Sequence, residues 1–446
     1  MFEQHATQIS RREMIAVSGV GMTLAASPSF ARRPLKPKRI AAIATVYRYG
    51  SHADVILGKI LEGWKQNGGP GPALEIAGMY VEQQGDDDMS KPLCKKYGVP
   101  MFDTIEGAVT AGTDGIPVDG VISIAEHGNY PFNDIGQHLY PRRRFFESIT
   151  KTFEKYDKVV PVFNDKHLGP EWADAKWMYE KAKELKIPFM SGSSLPVSYR
   201  KPELEVPLGT RIESAVAVGY DKLDIYASHA LDCYQTIVER RKGAEQGVKS
   251  VQYFDGEAMW DQIDAGRIDK EVLEACVANL SKVTDKDMRE DPEASLFLFE
   301  YIDGFQGSLV MLPRTVNRMG TAVRLSGVEK PLATEFEERI EPRHPHFAYL
   351  TKGIERMMHT GKPMYPVERC YLIAGILDRA INSRAQDGKK FMTPELEIDY
   401  KPVAYPHAPH PPLDMDPRRQ PFARGRRVRE LCKQCLHPIP RHLMAP

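Results

Sequence analysis

Six cysteines in 446 residues are too few for a scaffold held by disulfides. Nor is there an excess charge of either sign. Sixty Lys and Arg balance 60 Asp and Glu, so no global field draws the chain to nucleic acid or to an acidic membrane. A small, roughly neutral ligand fits that balance. No apolar run reaches the roughly 20 residues that a membrane-spanning helix needs. Also missing is a Gly-x-Gly-x-x-Gly turn after the first apolar run, the feature that lets a backbone approach a pyrophosphate closely.

What is present is an ordinary globular composition, 42% hydrophobic and 27% charged, in a chain long enough to predict two domains. The N-terminus has a pattern of its own. Ser10-Arg11-Arg12-Glu13-Met14-Ile15 precedes an uncharged, small-residue run from Ala16 to Ala26, and Ser29-Phe30-Ala31 offers a small-x-small cleavage site. Residues 1–31 therefore read as a twin-arginine export signal, with the periplasm or the exterior as destination. That route carries folded proteins, often ones already loaded with a cofactor.

Strands and helices alternate from there. The runs 38–46, 74–81, 118–125, 159–163 and 187–190 read as strands buried on both faces. Helical spacing fills 53–64, 89–97, 104–111, 141–155 and 171–185. This predicts a doubly wound, Rossmann-like parallel sheet over 36–190. After Ser191 the pattern changes. A helix is expected over 231–241, strands over 247–254, 295–302, 308–312 and 321–326 without helices between them, and helices over 346–358 and 366–383. An α+β domain with a mainly antiparallel sheet is expected over 191–400, serving substrate binding and homo-oligomerisation. From Lys401 the chain is loop-like, rich in proline and basic, and reads as an extended or disordered tail.

In such a sheet ligands bind beyond the carboxyl ends of the strands. The first turn, Thr45 to Asp54, holds one glycine, and Tyr47 and Tyr49 stand where a pyrophosphate would lie. Arg48, Ser51 and His52 are the groups there that can hold a phosphate, and Glu82 at the second strand end can accept from a ribose hydroxyl. Glu126-His127-Gly128-Asn129-Tyr130 ends the third strand. It suits the wall of a sugar or cofactor cleft, or, with His167 and His229, a metal site, although no helical His spacing supports a metal. Tyr199-Arg200 suits a substrate-facing arginine or an ordinary interdomain loop. Cys432-Lys433-Gln434-Cys435 is a single C-x2-C, better read as a local disulfide or free thiols than as zinc.

Asn164-Asp165-Lys166-His167-Leu168 follows the fourth strand, and Asp224-Ile225-Tyr226-Ala227-Ser228-His229-Ala230-Leu231-Asp232 lies downstream. Together with Asp378 to Ser383 before a strand-like Leu396–Tyr400, these segments resemble the glucose–fructose oxidoreductase/inositol dehydrogenase (Gfo/Idh/MocA) family over about residues 38–400. The resemblance implies Asp165-Lys166-His167 for the family's Glu-Lys-Pro, with Lys166 catalytic, His229 as acid/base, and Asp224 and Asp232 beside it. It also implies NAD or NADP held over Tyr47, Arg48, Ser51, His52, Glu82, Glu126, His127 and Asp165, and a sugar or cyclitol contacted by Asn164, Tyr199 and Arg200. The sequence departs from the pattern in three places: Glu-Lys-Pro has become Asp-Lys-His, Asp224 and His229 are five apart rather than four, and the glycine fingerprint is absent. Taken singly, Lys166 also reads as a surface lysine paired with Asp165, and His229 as a satisfied helix-end histidine. The activity implied is oxidation of a secondary alcohol of a sugar or cyclitol. A non-redox lyase or isomerase using the same Lys/His pair, or a non-catalytic carbohydrate-binding protein, remain the alternatives.

Overall fold

A computed structural model describes residues 35–409 except 282 and 283; the expected export signal and Cys432 and Cys435 lie outside the described residues. The chain forms two sheets within one compact unit. The first is entirely parallel, in the order β2 (Leu74–Val81), β1 (Lys38–Ala44), β3 (Gly120–Ile124), β4 (Val162–Asp165), β5 (Phe189–Gly192). A single parallel bridge between Met79 and Met101 marks the place of the strand that would extend a Rossmann sheet beyond β2. β1 lies inside the sheet, between β2 and β3, and is apolar on both faces, as its run predicted. Ala41 and Ile43 pack with helices α3 (Ile105–Thr110), α4 (Arg142–Lys155) and α5 (Trp172–Glu184), while Ile40, Ala42 and Ala44 face α1 (His52–Glu62). Each isoleucine removed from water contributes about 1.5–3 kcal/mol, and each alanine methyl less.

The second sheet has eight strands and is mainly antiparallel. They are β6 (Tyr199–Lys201), β7 (Ile212–Gly219), β8 (Val248–Asp255), β9 (Ser295–Tyr301), β10 (Gln306–Met311), β11 (Met319–Leu325), β12 (Leu332–Glu337) and β13 (Phe391–Met392). Only β10 and β7 run parallel. The expectation that these strands lack intervening helices is corrected. α6 (Leu223–Val238) follows β7 and begins eight residues before the expected helix, while α7 (Gly256–Asp264) and α8 (Lys270–Asn279) separate β8 from β9. The physical reason is a sheet covered twice. Ala215, Ala217, Phe297 and Phe299 face α6 and α10 (Glu368–Arg384), whereas Val216, Val218, Leu296 and Leu298 face Met259, Trp260, Val272 and Leu273 of α7 and α8. α9 (His346–Thr360) returns to the parallel sheet and packs beside α1.

The strand expected over 396–400 does not form. Leu396, Ile398 and Tyr400 alternate inward as a strand would, but Pro394 opens a short turn and only Glu245 and Tyr400 exchange backbone hydrogen bonds. Residues 401–409 carry no regular structure, yet they pack. Tyr405 and Ala408 are buried, and the Ala408 amide donates to the Val197 carbonyl. Among the described residues no helix is long and apolar enough to cross a membrane.

Candidate active site

Strand order reverses between β1 and β3, and beyond their carboxyl ends the polar residues gather. β3 runs into Glu126-His127 and β4 into Asp165-Lys166. His127 and Lys166 both adopt left-handed backbone angles, φ 68° and 61°, an uncommon choice for residues with a Cβ that turns the chain sharply off each strand. Asn164 shapes the second turn. Its buried amide donates to the Asp165 and His167 carbonyls and to Ser191 Oγ, which in turn donates to the carbonyls of Asn164 and Lys166.

Lys166 is buried, and its Nζ donates to Glu126 Oε1 at 2.6 Å. It does not pair with its neighbour Asp165, because consecutive residues leaving a strand point apart. The other Glu126 oxygen accepts from Arg142 at 2.5 Å. Burial alone would raise the Glu126 carboxyl, but Lys166 and Arg142 override it and hold that group well below the usual range. Arg142 opens α4 as the first of three consecutive arginines, a run that in sequence looks like a solvated face. Nothing there separates the buried member from Arg143 and Arg144.

Asp165 turns the other way, to His52 at the start of α1, with Oδ2 to Nδ1 at 2.6 Å. His127 lies edge-on to His52, ring centres 5.2 Å apart. Burial, then the nearby His52, lowers His127 to about 4.

α6 supplies the facing wall. Lys166, His167, Ser193, Ser228, His229, Asp232, Cys370 and Ile373 enclose a cavity of about 10 Å³, room for one water-sized oxygen. His229 Nδ1 is 2.6 Å from Ser193 Oγ. Burial, then the charge of Lys166, pushes His229 well below its ordinary value, so it stands as neutral imidazole near neutral pH. Asp232 accepts from the Ser193 amide at 2.9 Å and is paired with Arg369 Nε at 3.0 Å, which fixes the Ser193 loop from behind. Ser193 and Arg369 were not singled out in the sequence. Asp224, about two turns before Asp232 on α6, accepts from the His138 amide. Next to it opens a cleft of about 740 Å³, whose lining includes Phe132, Tyr253, Asp255 and Arg384.

Other anticipated site residues have different roles here. Tyr47 lines a groove beyond the ends of β1, β2 and β3 without exposing its ring. It is 1% exposed and packs in the apolar core. Tyr49 is exposed, with the Arg343 guanidinium over its ring. Arg200 directs its buried guanidinium to the carbonyls of Pro196 and Leu204, and Tyr199 lies edge-on to Tyr349 beneath Arg339. Glu82 is engaged by Arg144 and by the Tyr130 hydroxyl.

A groove of about 410 Å³ lies against Val46, Arg48, Gln83, Asp87, Gly128 and Asn129, beyond the ends of β1, β2 and β3. It has the position and size for the adenosine half of a dinucleotide. Half-exposed Arg48 stands at this groove as a cation for phosphate, 3.8 Å from Asp87. At the α1 N-terminus the amides are partly used internally: Ser51 Oγ accepts from Asp54 N, and Asp54 accepts from Gly50 N and pairs with Arg343 through both oxygens. The residues fit a nicotinamide dinucleotide held through Arg48 rather than through a glycine cradle. Among the described residues no group of three or more His, Cys, Asp or Glu is arranged to hold a metal.

No family model matches the sequence, and no curated protein matches it. Solved structures do. GenD2 from gentamicin A biosynthesis, in complex with NAD, is 12% identical and superposes over 80% of this chain and 97% of its own with a TM-score of 0.52. The apo scyllo-inositol dehydrogenase from Lactobacillus casei is 9% identical, over 80% and 98%, at 0.51. The chain has the Gfo/Idh/MocA fold. At such identity the likeness is one of fold, and function has to be argued from the site.

Proposed function

We propose that this chain is an exported oxidoreductase that acts on a secondary alcohol of a sugar or cyclitol. The observation that carries this reading is the single oxygen-sized cavity bounded by both Lys166 and His229. An ammonium and a neutral imidazole on one oxygen are what removing a hydroxyl proton requires. Lys166, held by Glu126, donates a hydrogen bond to the reacting oxygen. His229, oriented through Nδ1 by Ser193, takes the hydroxyl proton. The large cleft at the first turn of α6 holds the rest of the sugar.

A bound NAD or NADP would accept hydride from the alcohol carbon. Arg48 would hold a phosphate, with the adenosine half against the groove beyond β2. The reading is tested by denaturing purified protein and assaying released nicotinamide, then supplying NAD or NADP with a panel of sugars and cyclitols. Finding no bound nicotinamide and no oxidation of any alcohol would overturn it. A second reading, a lyase or isomerase using the same pair without redox, is favoured by one observation: Asp54 and Ser51 already take up amides at the α1 N-terminus.

A further inference from the structure

Among the described phenylalanines Phe132 alone is exposed, at 53%. It sits on a hairpin held from several sides. Phe132 pairs with His138 in an antiparallel bridge, the Leu139 amide donates to the Pro131 carbonyl, and the Asn133 side chain accepts from the Ile135 and Gln137 amides. Gln137 donates to Asp378 of α10, and Arg384, at the end of that helix, donates to the Ile135 carbonyl. The His138 ring stacks on Phe132 with centroids 4.1 Å apart, and Tyr140 follows His138 at 4.0 Å. One face of Phe132 is thus backed by a column of rings, while the residue lines the cleft beside α6. An apolar ring fixed in the open contributes little to folding. It is a pre-organised surface for a ligand.

The rest of the cleft narrows the chemistry of that ligand. Asp221, Asp224 and Asp255 line it together with Lys222 and Arg384, so neither sign dominates and neither a phosphate nor an ammonium is favoured. Asp224 is 8% exposed; its Oδ2 accepts from the His138 amide, and its Oδ1 has no protein partner, which leaves an acceptor for a ligand hydroxyl. A sugar meets both halves of this surface. Its C–H face covers an aromatic ring, and its hydroxyls donate to carboxylates and accept from cations. At about 740 Å³ the cleft lies in the upper part of the range of about 300–1,000 Å³ that encloses a drug-sized ligand, more than one pyranose ring needs. Its place is fixed by α6. Asp224 and Ile225 line the cleft, and Ser228 and His229, each four residues on, line the cavity at Lys166. Residues four apart share a helix face, so cleft and cavity are neighbours about one turn, or 5.4 Å, apart.

We propose that this cleft is a glycan subsite and that the substrate is a glycoside of two or more rings, not a free monosaccharide or cyclitol. A ring beyond the reacting one stacks on Phe132, and one of its hydroxyls donates to Asp224. The substrate half of the proposal rests on the reading of Lys166 and His229 as the pair that takes the reacting hydroxyl. The binding half stands on the cleft itself.

The test is calorimetry on the purified full chain with maltotriose, cellotriose, glucose and myo-inositol, alongside oxidation assays of the same four compounds with NAD and NADP. At least one trisaccharide is expected to bind about 10-fold or more tighter than glucose and myo-inositol, the scale of one aromatic contact. Phe132→Ala should remove that advantage and Phe132→Trp should keep it, with thermal melting showing that both variants fold. Trisaccharides bound no tighter than glucose by a protein that oxidises glucose or myo-inositol would overturn this proposal alone. An advantage that survives Phe132→Ala would overturn it as well. Tight trisaccharide binding lost in Phe132→Ala, with no alcohol oxidised, would uphold the subsite and overturn the redox reading of Lys166 and His229.

Discussion

Lys166 and Glu126 meet across the ends of two neighbouring strands, Nζ to Oε1 at 2.6 Å, both all but sealed from water. Arg142 completes the arrangement at the second oxygen. A carboxylate between two cations is held where hydride or proton chemistry can use one of them, and the balance depends on all three charges.

Glu126→Gln leaves two buried cations without their anion, so it should cost about 3–5 kcal/mol. Because the folded carboxyl is depressed, its contribution is fully present above the ordinary glutamate value of 4.5 and is lost as pH falls through the lower folded value. Melting temperatures measured from pH 3 to 7 should fall towards acid in wild type. They should fall less steeply in the variant, and equal slopes would assign the acid sensitivity elsewhere.

If Lys166 and His229 share one step, Lys166→Ala and His229→Ala should each lose most alcohol oxidation, and the double variant should be scarcely worse. Additive losses in kcat/KM would separate their roles. His229 acts as a base in its neutral form, and burial beside Lys166 lowers its value. The acid limb of kcat/KM should therefore lie below 6.5, with activity falling as pH drops through that lower value.

In the proposed reading Arg48 supplies what glycine amides supply elsewhere. NAD and NADP should bind weakly, and Arg48→Ala should weaken them further by about 10- to 100-fold, the scale of a charge-assisted contact of about 1.5–3 kcal/mol. Calorimetric titration decides this. Sub-micromolar affinity that survives Arg48→Ala would mean the phosphates are held by other groups.

The proposed export rests on the arginine pair at the N-terminus. Replacing Arg11 and Arg12 with Lys should leave the protein in the cytoplasm. Fractionation of cells expressing the variant reads the outcome, and normal export through the same route would remove twin-arginine targeting.

Local chemistry was enough for the parallel sheet, because β1 to β5 are short apolar runs buried on both faces and each ends at a polar turn. The same logic pointed to Lys166, Glu126 and His52, since ligand sites in such sheets lie at strand ends, whereas His229, on a helix, was marked by the family resemblance. Sequence alone determined which strand ends carry dense polar turns. Tertiary structure decided how those groups pair. Adjacency suggested Lys166 with Asp165, but strand geometry sends Lys166 to Glu126 and Asp165 to His52, partners 40 and 113 residues away. Arg142, Ser193 and Arg369 act only because α4, the loop after β5 and α10 bring them to a carboxylate or an imidazole, and nothing in their own neighbourhoods marks them. Helices α7 and α8 were hidden for a similar reason: their apolar faces gain meaning only against the far side of a sheet formed later in the chain. Short-range pattern reports which face of an element is buried, and the partner buried against it is a property of the whole fold.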